Sequence, residues 1–428
     1  MEKFNVFKEK LMIENLSLEQ VMTVAKAVEK FSWSLYRVMK ETNNGNLVFS
    51  PYGAHVVLAM LSEGARGATL EIMKREMFLP DSEILRKGYE DVIPAMKTGF
   101  LVKFWIDKDS FFKERGIMVD DNYILETAYG GFFMRGSKLL GSFETDLKKS
   151  YHAEMIEVDY QDEANTSRII NHWVQKSTKD FVEDFITADS LDEEFGIMDF
   201  ASNPGIIVLT NALYFNCDWN FKLSQPVVFW VTEGESKQVP MLTLCSEMKY
   251  ACLEELGAAM IELPDNKSRF VMQVVVPDDR MGVFELENGL VDTDIQDLFR
   301  RKHQTVVMDL ALPKLNLTNN LNLSDSLKKV GLADLFSADT SDFSGLNGSR
   351  FLSLTEVKQK VVLEMGECKQ QENHHFWSGW FSGPDTEMIK EPIGFGSMFY
   401  VDHPFIFMIR DTITNMILLQ GRVVDPSL

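Results

Sequence analysis

Two long runs of apolar residues in the middle of the chain constrain its fold more than any other feature. The first is Ile206–Leu209, and the second is Phe270–Val276, which only Gln273 interrupts. Apolar runs of this length fit buried strands of a large sheet. The region from Gly205 to Pro277 is therefore predicted to be rich in strands.

Helices are predicted before this region. Apolar residues recur at helical spacing between Leu18 and Met39, which predicts an amphipathic helix. After a turn at Asn43–Asn46, the pair Ser50-Pro51 is typical of an N-cap followed by proline in the first turn of a second helix. No linker rich in Pro, Gly or Ser divides the chain, so residues 1–428 are predicted to form one domain.

The charge balance excludes several classes of partner. The chain carries a formal net charge of −21 at pH 7, and such a surface repels nucleic acid and anionic lipid. A heparin-type polyanion needs clustered Lys and Arg, but the densest candidate, Lys108–Arg115, has acidic residues beside it and is expected to be a solvated face. No apolar run approaches the length that spans a bilayer.

The cysteines and the sequons bear on the compartment. The four cysteines are too few for a disulfide framework and fit no zinc spacing, although one disulfide is possible. The segment Met1–Lys10 does not have the apolar core of a cleavable signal peptide. An extracellular glycoprotein is expected, with a cytoplasmic location left open, because six Asn-x-Ser/Thr sequons occur, at Asn15, Asn165, Asn266, Asn316, Asn322 and Asn347.

Ordered motifs along the chain resemble those of the serpins, the serine protease inhibitor superfamily. They are Asn46–Pro51, Gly64–Thr69, Asn171–Val174, Val208–Phe215, Leu312–Lys314, Asp342–Gly345, Asp402–Phe405 and Gly421–Val424. Several matches in family order are far more specific than one short motif. The resemblance implies an α+β fold of three β-sheets with about nine helices, and a long reactive-centre loop at about residues 367–402.

The resemblance also implies a mechanical form of inhibition. A protease acylates itself on the exposed loop, and the freed loop then inserts as a new strand into the central sheet before the ester hydrolyses. The leading part of the loop, the hinge, must enter the sheet with little resistance. Inhibitory members therefore carry a Gly and then small residues in the hinge.

The hinge of this chain departs from that pattern. Aligning Lys360–Leu363 with the strand before the loop places Glu367 on the family's hinge Glu. The expected Gly is then Lys369, and the expected small residues are Gln370, Gln371, Glu372, Asn373, His374 and His375. Strand side chains alternate, so insertion would turn Gln370, Glu372, His374 and Phe376 toward the core. Each unpartnered polar group costs about 1–3 kcal/mol and a carboxylate costs more, so insertion should be slowed by orders of magnitude.

The shutter, which opens the central sheet, departs as well. The family uses two Ser, an Asn and a His there. Ser50 and Asn211 match, whereas Gly53 stands at the second Ser and Gln359 stands at the His. Gln replaces some hydrogen bonds of an imidazole, but the loss of two of the four members indicates relaxed demands on sheet opening.

The loop itself is about ten residues longer than is usual in the family, well beyond an ordinary connection. Its aromatic residues Trp377, Trp380 and Phe381 indicate a contact surface, with packing on the protein's own body as the alternative. If the loop still serves as bait, the scissile bond is expected near Lys390-Glu391, because trypsin-like proteases cut after Lys.

Other functions are less well supported. The segment Phe100–Tyr123 has no counterpart in the family, and packing on its own domain is the commoner outcome for such an insertion. Cys368, His374 and His375 are three potential metal ligands without a fourth, so no metal or other cofactor is expected. The chain has no G-x-S-x-G, H-E-x-x-H or phosphate-cradling Gly loop, so an enzyme is not expected.

The sequence therefore supports two candidate functions. In the first, the chain is a non-inhibitory or poorly inhibitory serpin that uses its aromatic loop to bind a protein or a small hydrophobic ligand. In the second, it inhibits a trypsin-like serine protease. The polar hinge favours the first function over the second.

Overall fold

A five-stranded sheet, a nine-stranded sheet and a two-stranded hairpin form the frame of the protein. The structure is a computed structural model and describes residues 18–97, 123–187, 206–217, 219, 221–263, 269–350, 352–366 and 398–428. The expected α+β fold with three β-sheets is confirmed.

The five-stranded sheet carries the candidate site. Its strands are β2 (Tyr123–Met134), β3 (Glu154–Val158), β4 (Ile206–Cys217), β12 (Asn316–Asn322) and β13 (Ser353–Met365), in the order β12-β13-β4-β2-β3. Strand β4 is antiparallel to β2 and parallel to β13. All residues of β4 are buried, which confirms the buried strand predicted from its apolar run.

The second apolar run predicted from the sequence forms a buried strand of the nine-stranded sheet. Its strands are β1 (Leu47–Phe49), β5 (Lys222–Leu223), β8 (Met241–Leu253), β9 (Ala258–Leu263), β10 (Phe270–Pro277), β11 (Gln304–Pro313), β14 (Met398–Tyr400), β15 (Phe405–Asp411) and β16 (Ile417–Val423). Every residue of β10 is buried. The polar side chain of Gln273 is tolerated in this buried strand because its Nε2 donates a hydrogen bond to Glu262 Oε2 at 2.8 Å. The hairpin is β6 (Val227–Trp230) with β7 (Ser236–Val239).

Helices surround the sheets and one lies inside. They are α1 (Leu18–Thr42), α2 (Pro51–Ser62), α3 (Gly67–Glu76), α4 (Ser82–Lys97), α5 (Gly141–Asp146), α6 (Glu163–Ser177), α7 (Val283–Val291), α8 (Ile295–Lys302), α9 (Ser324–Leu327) and α10 (Ser344–Asn347). Helix α1 confirms the predicted amphipathic helix and continues to Thr42. Of the helices in the described ranges, none combines the length and the apolarity needed to cross a membrane.

Helix α2 is the buried one. All of its residues are buried and most of them are apolar, as expected of a helix packed inside the core. It begins where the sequence predicts: Ser50 Oγ accepts the Gly53 backbone N–H at 3.0 Å, and Pro51 is the first helical residue. The predicted N-cap is confirmed.

Two of the family-like motifs hold each other in place. The backbone N–H of Arg66 donates to the Asp342 carbonyl at 2.8 Å, and that of Gly345 donates to the Gly64 carbonyl at 3.0 Å. A Cβ on Gly64 would overlap the side chain of Leu346, and a Cβ on Gly345 would overlap the Arg66 guanidinium. Glycine is needed at both positions because the partner segment lies against the backbone.

A buried ion pair ties the C-terminal strand to two helices. Arg422 of β16 donates to both carboxylate oxygens of Glu287 on α7, each at 2.8 Å. Tyr36 of α1 donates to the same carboxylate, and Arg422 Nε donates to the Gly45 carbonyl at 3.1 Å. Removal of either charge would leave the other buried and unpaired, which typically costs about 3–5 kcal/mol.

Candidate functional site: the seam between β4 and β13

If the loop that follows β13 inserts into the central sheet, as the family resemblance implies, the seam between β4 and its parallel neighbour β13 is the expected point of entry. The two strands pair in parallel from Ile206 with Ser353 to Cys217 with Met365, with one register irregularity between Leu354 and Glu356. In the described part of the chain no strand lies between them. Strand β13 ends at Met365, two residues before the predicted hinge begins.

On the inner face of the seam, the structure brings the four shutter residues together. Gln359 of β13 pairs in register with Asn211 of β4. The Gln359 Nε2 group donates to Asn211 Oδ1 and to the Ser50 carbonyl, each at 2.9 Å, and Gln359 Oε1 accepts the Ser50 backbone N–H at 2.8 Å. The side chain amide therefore links both strands to the start of α2.

Further bonds of Asn211 and Ser50, and the close approach of Gly53, complete this contact. Asn211 Nδ2 donates to the Ala128 carbonyl of β2 at 3.3 Å, and Ser50 Oγ donates to the Leu418 carbonyl of β16 at 2.7 Å. Gly53 lies directly against Asn211, and a Cβ there would overlap the Asn211 amide. The position has no room for a larger residue unless Asn211 moves.

The polar side chains that meet on the inner face of the seam carry no charge. Ser50, Asn211 and Gln359 are fully buried, and their polar groups are paired, so the cluster avoids the cost of about 1–3 kcal/mol for each unpaired buried group. An amide supplies both the donor and the acceptor that Ser50 requires. Because Gln does not titrate, pH does not change this set of bonds.

The outer face of the seam has its own bond between the strands. Tyr214 of β4 donates its hydroxyl to Glu364 Oε2 of β13 at 2.7 Å. The ring of Phe181 stacks on Tyr214 with ring centroids 4.3 Å apart, and Tyr214 is buried. Hydrogen bonds to a charged acceptor are typically stronger than neutral ones.

A segment after α6, residues 178–187, crosses the outer face, and we call it the strap. Lys360 of β13 donates from Nζ to the carbonyls of Glu183 and Asp184, at 2.7 and 2.9 Å. Burial lowers the pKa of Lys360, whereas the nearby carboxylates of the strap act in the opposite direction. The strap thus covers β13 through bonds made by its own backbone.

The other side of the strap is held by two asparagines. Asn171 of α6 donates to the Ile186 carbonyl at 2.8 Å and accepts the Ile186 N–H at 2.9 Å. Asn320 of β12 donates to the Phe185 carbonyl at 3.3 Å. Strand β13 cannot move away from β4 without disturbing the strap.

Another buried ion pair lies nearer the N-terminal end of β13. Lys358 Nζ is 2.7 Å from Glu356 Oε1, and both side chains are largely buried. Asn322 of β12 donates to the same Glu356 oxygen at 2.9 Å. Glu356, Lys358, Lys360 and Glu364 thus supply the polar bonds of the outer face of β13, while Gln359 serves the inner face.

The structure does not test most of the predicted site. The hinge (Glu367, Lys369, Gln370, Glu372, His374 and His375), the aromatic residues Trp377, Trp380 and Phe381, the scissile candidates Lys390 and Glu391, and most of the segment Phe100–Tyr123 lie outside the described residues. Strand β14 begins at Met398, inside the range 367–402 that the sequence assigned to the loop.

Sequence reasoning missed the outer face of the seam. Tyr214, Glu364, Lys360 and the strap did not enter the predicted site. Glu356, Lys358, Lys360 and Glu364 are separated by even numbers of residues, and this spacing was the available signal, because it places the charged residues on one face of the strand. Their partners lie far away in the sequence, so pattern alone would not have named them.

The described cysteines and histidines do not form a metal site. The disulfide that the sequence allowed does not join any two of the described cysteines Cys217, Cys245 and Cys252. Among the described residues no group of three His, Cys, Asp or Glu side chains is arranged to hold a metal ion. His55 is buried between the Tyr89 hydroxyl and the Met77 carbonyl, and burial lowers its pKa to about 4.

Comparison with known proteins agrees with this architecture. The family model described as Serpin (serine protease inhibitor) matches residues 26–426. The leukocyte elastase inhibitor of Xenopus tropicalis is 28% identical over 420 residues, which cover 94% of this chain and 99% of that protein. Serpin B3 of Homo sapiens is 25% identical, over 94% of this chain and 100% of its own length.

Solved structures give the same result for the fold. Serpin48 of the insect Tenebrio molitor superposes with a TM-score of 0.74 at 23% identity, over 94% of this chain and 98% of that one. Serpins are protease inhibitors or non-enzymatic binding proteins and not catalytic enzymes. With a family model that spans almost the whole length and a fold that agrees, the chain is a member of the serpin family.

Proposed function

We propose that this protein is a non-inhibitory or poorly inhibitory serpin, one domain over residues 1–428, that acts by binding through its long aromatic loop. The observation that carries the proposal is the double linkage of the seam. Gln359 joins β13 to β4 on the inner face, and Tyr214 with Glu364 joins them on the outer face.

Insertion of a loop strand would separate these pairs. The entering backbone would offer new ladder bonds, but it would not replace the contacts of Gln359 with Asn211 or of Tyr214 with Glu364. Each lost bond between buried groups costs about 1–3 kcal/mol. A few such losses at the transition state slow a step by orders of magnitude.

The sequence of the hinge adds to this resistance. Insertion would carry Gln370, Glu372 and His374 toward the core, and an ionised carboxylate there is more costly than a neutral group. In inhibitory serpins this stretch carries small residues, mostly Ala and Thr. Slow insertion leaves the acylated protease time to hydrolyse the ester, so the loop behaves as a plain substrate.

The binding role rests on the composition of the loop. Trp377, Trp380 and Phe381 lie within five residues, and aromatic residues at such density are typical of contact surfaces. A protein or a small hydrophobic ligand fits them, whereas the acidic surface disfavours nucleic acid and heparin-type polyanions. The six sequons support an extracellular glycoprotein.

A thermal melt before and after trypsin cleavage of the loop tests the proposal, with a denaturing gel run beside it. We expect an unchanged melting temperature and clean turnover of the protein as a substrate. A rise of tens of degrees together with a covalent protease complex would refute it. A matched variant with a Gly-Thr-Glu-Ala-Ala-Ala-Ala hinge at residues 369–375 separates the effect of the hinge from that of the seam.

The second candidate is inhibition of a trypsin-like serine protease at Lys390-Glu391. The observation in its favour is the family match, which includes a relative named as an elastase inhibitor. Under this candidate, Lys390→Ala would abolish a covalent complex that the unmodified protein forms. Under our proposal, neither protein forms a complex and the variant is merely cut more slowly.

A further inference from the structure

Among the described residues, no strand pairs with the outer side of β12, whose N-terminal end lies beside the end of β13. Strand β12 is the outer strand of the five-stranded sheet. Its first residue, Asn316, pairs with Glu364 of β13, and the Met365 N–H donates to the Leu315 carbonyl at 2.8 Å. Asn316 therefore lies beside the last residues of the sheet before Glu367.

Asn316 and Thr318 form a sequon whose two functional side chains are exposed. Because strand side chains alternate, they share one face, while Leu317 between them is buried in the core. Within the described part of the chain the Asn316 amide has no hydrogen-bond partner. An Asn-x-Thr sequon with both side chains free in solvent is the arrangement that accepts an N-linked glycan.

The other described sequons are less open. The amide of Asn322 donates to the buried carboxylate of Glu356. Asn165 is tied to Arg168 inside α6, and its sequon hydroxyl, Ser167, is buried. Asn347 Oδ1 accepts the Ser349 N–H at 2.8 Å in a turn.

Two further asparagines of the same strand show where the edge is covered. Asn319 Nδ2 donates to the Val48 carbonyl at 3.0 Å, and Asn320 Nδ2 donates to the Phe185 carbonyl at 3.3 Å. The C-terminal half of β12 is thus covered by β1 and the strap. Unpaired strand edges favour association with other chains, and proteins commonly cover them.

We propose that Asn316 is an N-glycosylation site whose glycan covers the outer side of β12 at its N-terminal end. The donor is an oligosaccharide linked to a lipid pyrophosphate. A bond forms between Asn316 Nδ2 and the anomeric carbon, the bond from that carbon to the pyrophosphate oxygen breaks, and the lipid pyrophosphate leaves while the amide loses one proton. This inference rests on the extracellular location proposed above and does not depend on whether the loop inserts.

The test is site occupancy in the full chain, directed through a eukaryotic secretory pathway by a cleavable leader. Release of glycans by peptide-N-glycosidase in heavy-oxygen water converts an occupied Asn to labelled Asp, which fragmentation mass spectrometry locates. We expect label at Asn316 in most molecules. Thr318→Ala should remove it, and Thr318→Ser, the matched control, should retain it.

An unlabelled Asn316, whether or not other sequons are labelled, would overturn the assignment.

Discussion

Gln359 of β13 donates a hydrogen bond to Asn211 of β4 at 2.9 Å, across the seam that separates the two halves of the central sheet. The same Nε2 group donates to the carbonyl of Ser50, at the N-terminus of the buried helix α2. One neutral side chain thus holds three elements together at the point where an inserting strand would have to pass.

Replacing Gln359 with Ala should destabilise the protein by about 3–5 kcal/mol, because the buried groups of Ser50 and Asn211 lose their partner and a cavity remains. Urea unfolding measures the change. Gln304→Ala, at an exposed position in β11, serves as the control and should alter the free energy of unfolding by less than about 0.5 kcal/mol. A loss below about 1 kcal/mol for Gln359→Ala would mean that this bond set does not hold the seam.

The outer bond can be isolated by a double-mutant cycle. Tyr214→Phe and Glu364→Ala should each destabilise the protein, and their coupling energy should be about 1–2 kcal/mol, because the hydroxyl donates to a carboxylate. Tyr214→Phe combined with Glu144→Ala, an exposed residue of α5, should show no coupling. Coupling near zero in the first cycle would show that the bond does not join the strands in solution.

Gly53 should resist even the smallest enlargement. Gly53→Ala places a methyl group against the Asn211 amide, and such overpacking typically costs about 1–3 kcal/mol. The gain of about 1 kcal/mol for Ala over Gly in a helix offsets part of this cost. Gly141→Ala, at a helical position that faces open space, should be neutral or stabilising. Equal effects of the two changes in urea unfolding would contradict the close contact.

His55 should make stability fall in mild acid. Burial lowers its pKa from 6.5 to about 4, so between these values the unfolded chain binds a proton that the folded chain does not. Stability from the neutral imidazole is present above pH 6.5 and is lost as pH falls, by about 2 kcal/mol at pH 5. The difference between the unmodified protein and His55→Gln in urea unfolding, taken at pH 7.5 and pH 5, isolates this group. A pH-independent difference would refute the assignment.

The sequence predicted those parts of the fold that depend on local pattern. The buried strands β4 and β10 followed from apolar runs, and the start of α2 followed from Ser50-Pro51, because a cap and a buried strand are determined by neighbouring residues. Helix α1 runs past Met39 to Thr42, since polar residues at a helix end carry no periodic signal.

The candidate site could be predicted only in part. The shutter residues were named from the family resemblance, and the structure then supplied the bonds of Gln359. The contact of Tyr214 with Glu364, separated by 150 residues, depends on the register of two parallel strands. The two carbonyls that Lys360 binds belong to the strap backbone, which has no side chain signature.

The pairing of β4 with β13 also bears on how the chain acquires its fold. Asn211 and Gln359 are 148 residues apart, and parallel pairing at such separation requires closure of a very long loop before any bond is gained. Contacts of this kind form late and slow the folding rate. Until the seam closes, the nascent molecule carries two unpaired strand edges in its centre, and strands of neighbouring molecules compete for them. Closure of the seam between β4 and β13 is therefore a folding step before which the chain is exposed to aggregation.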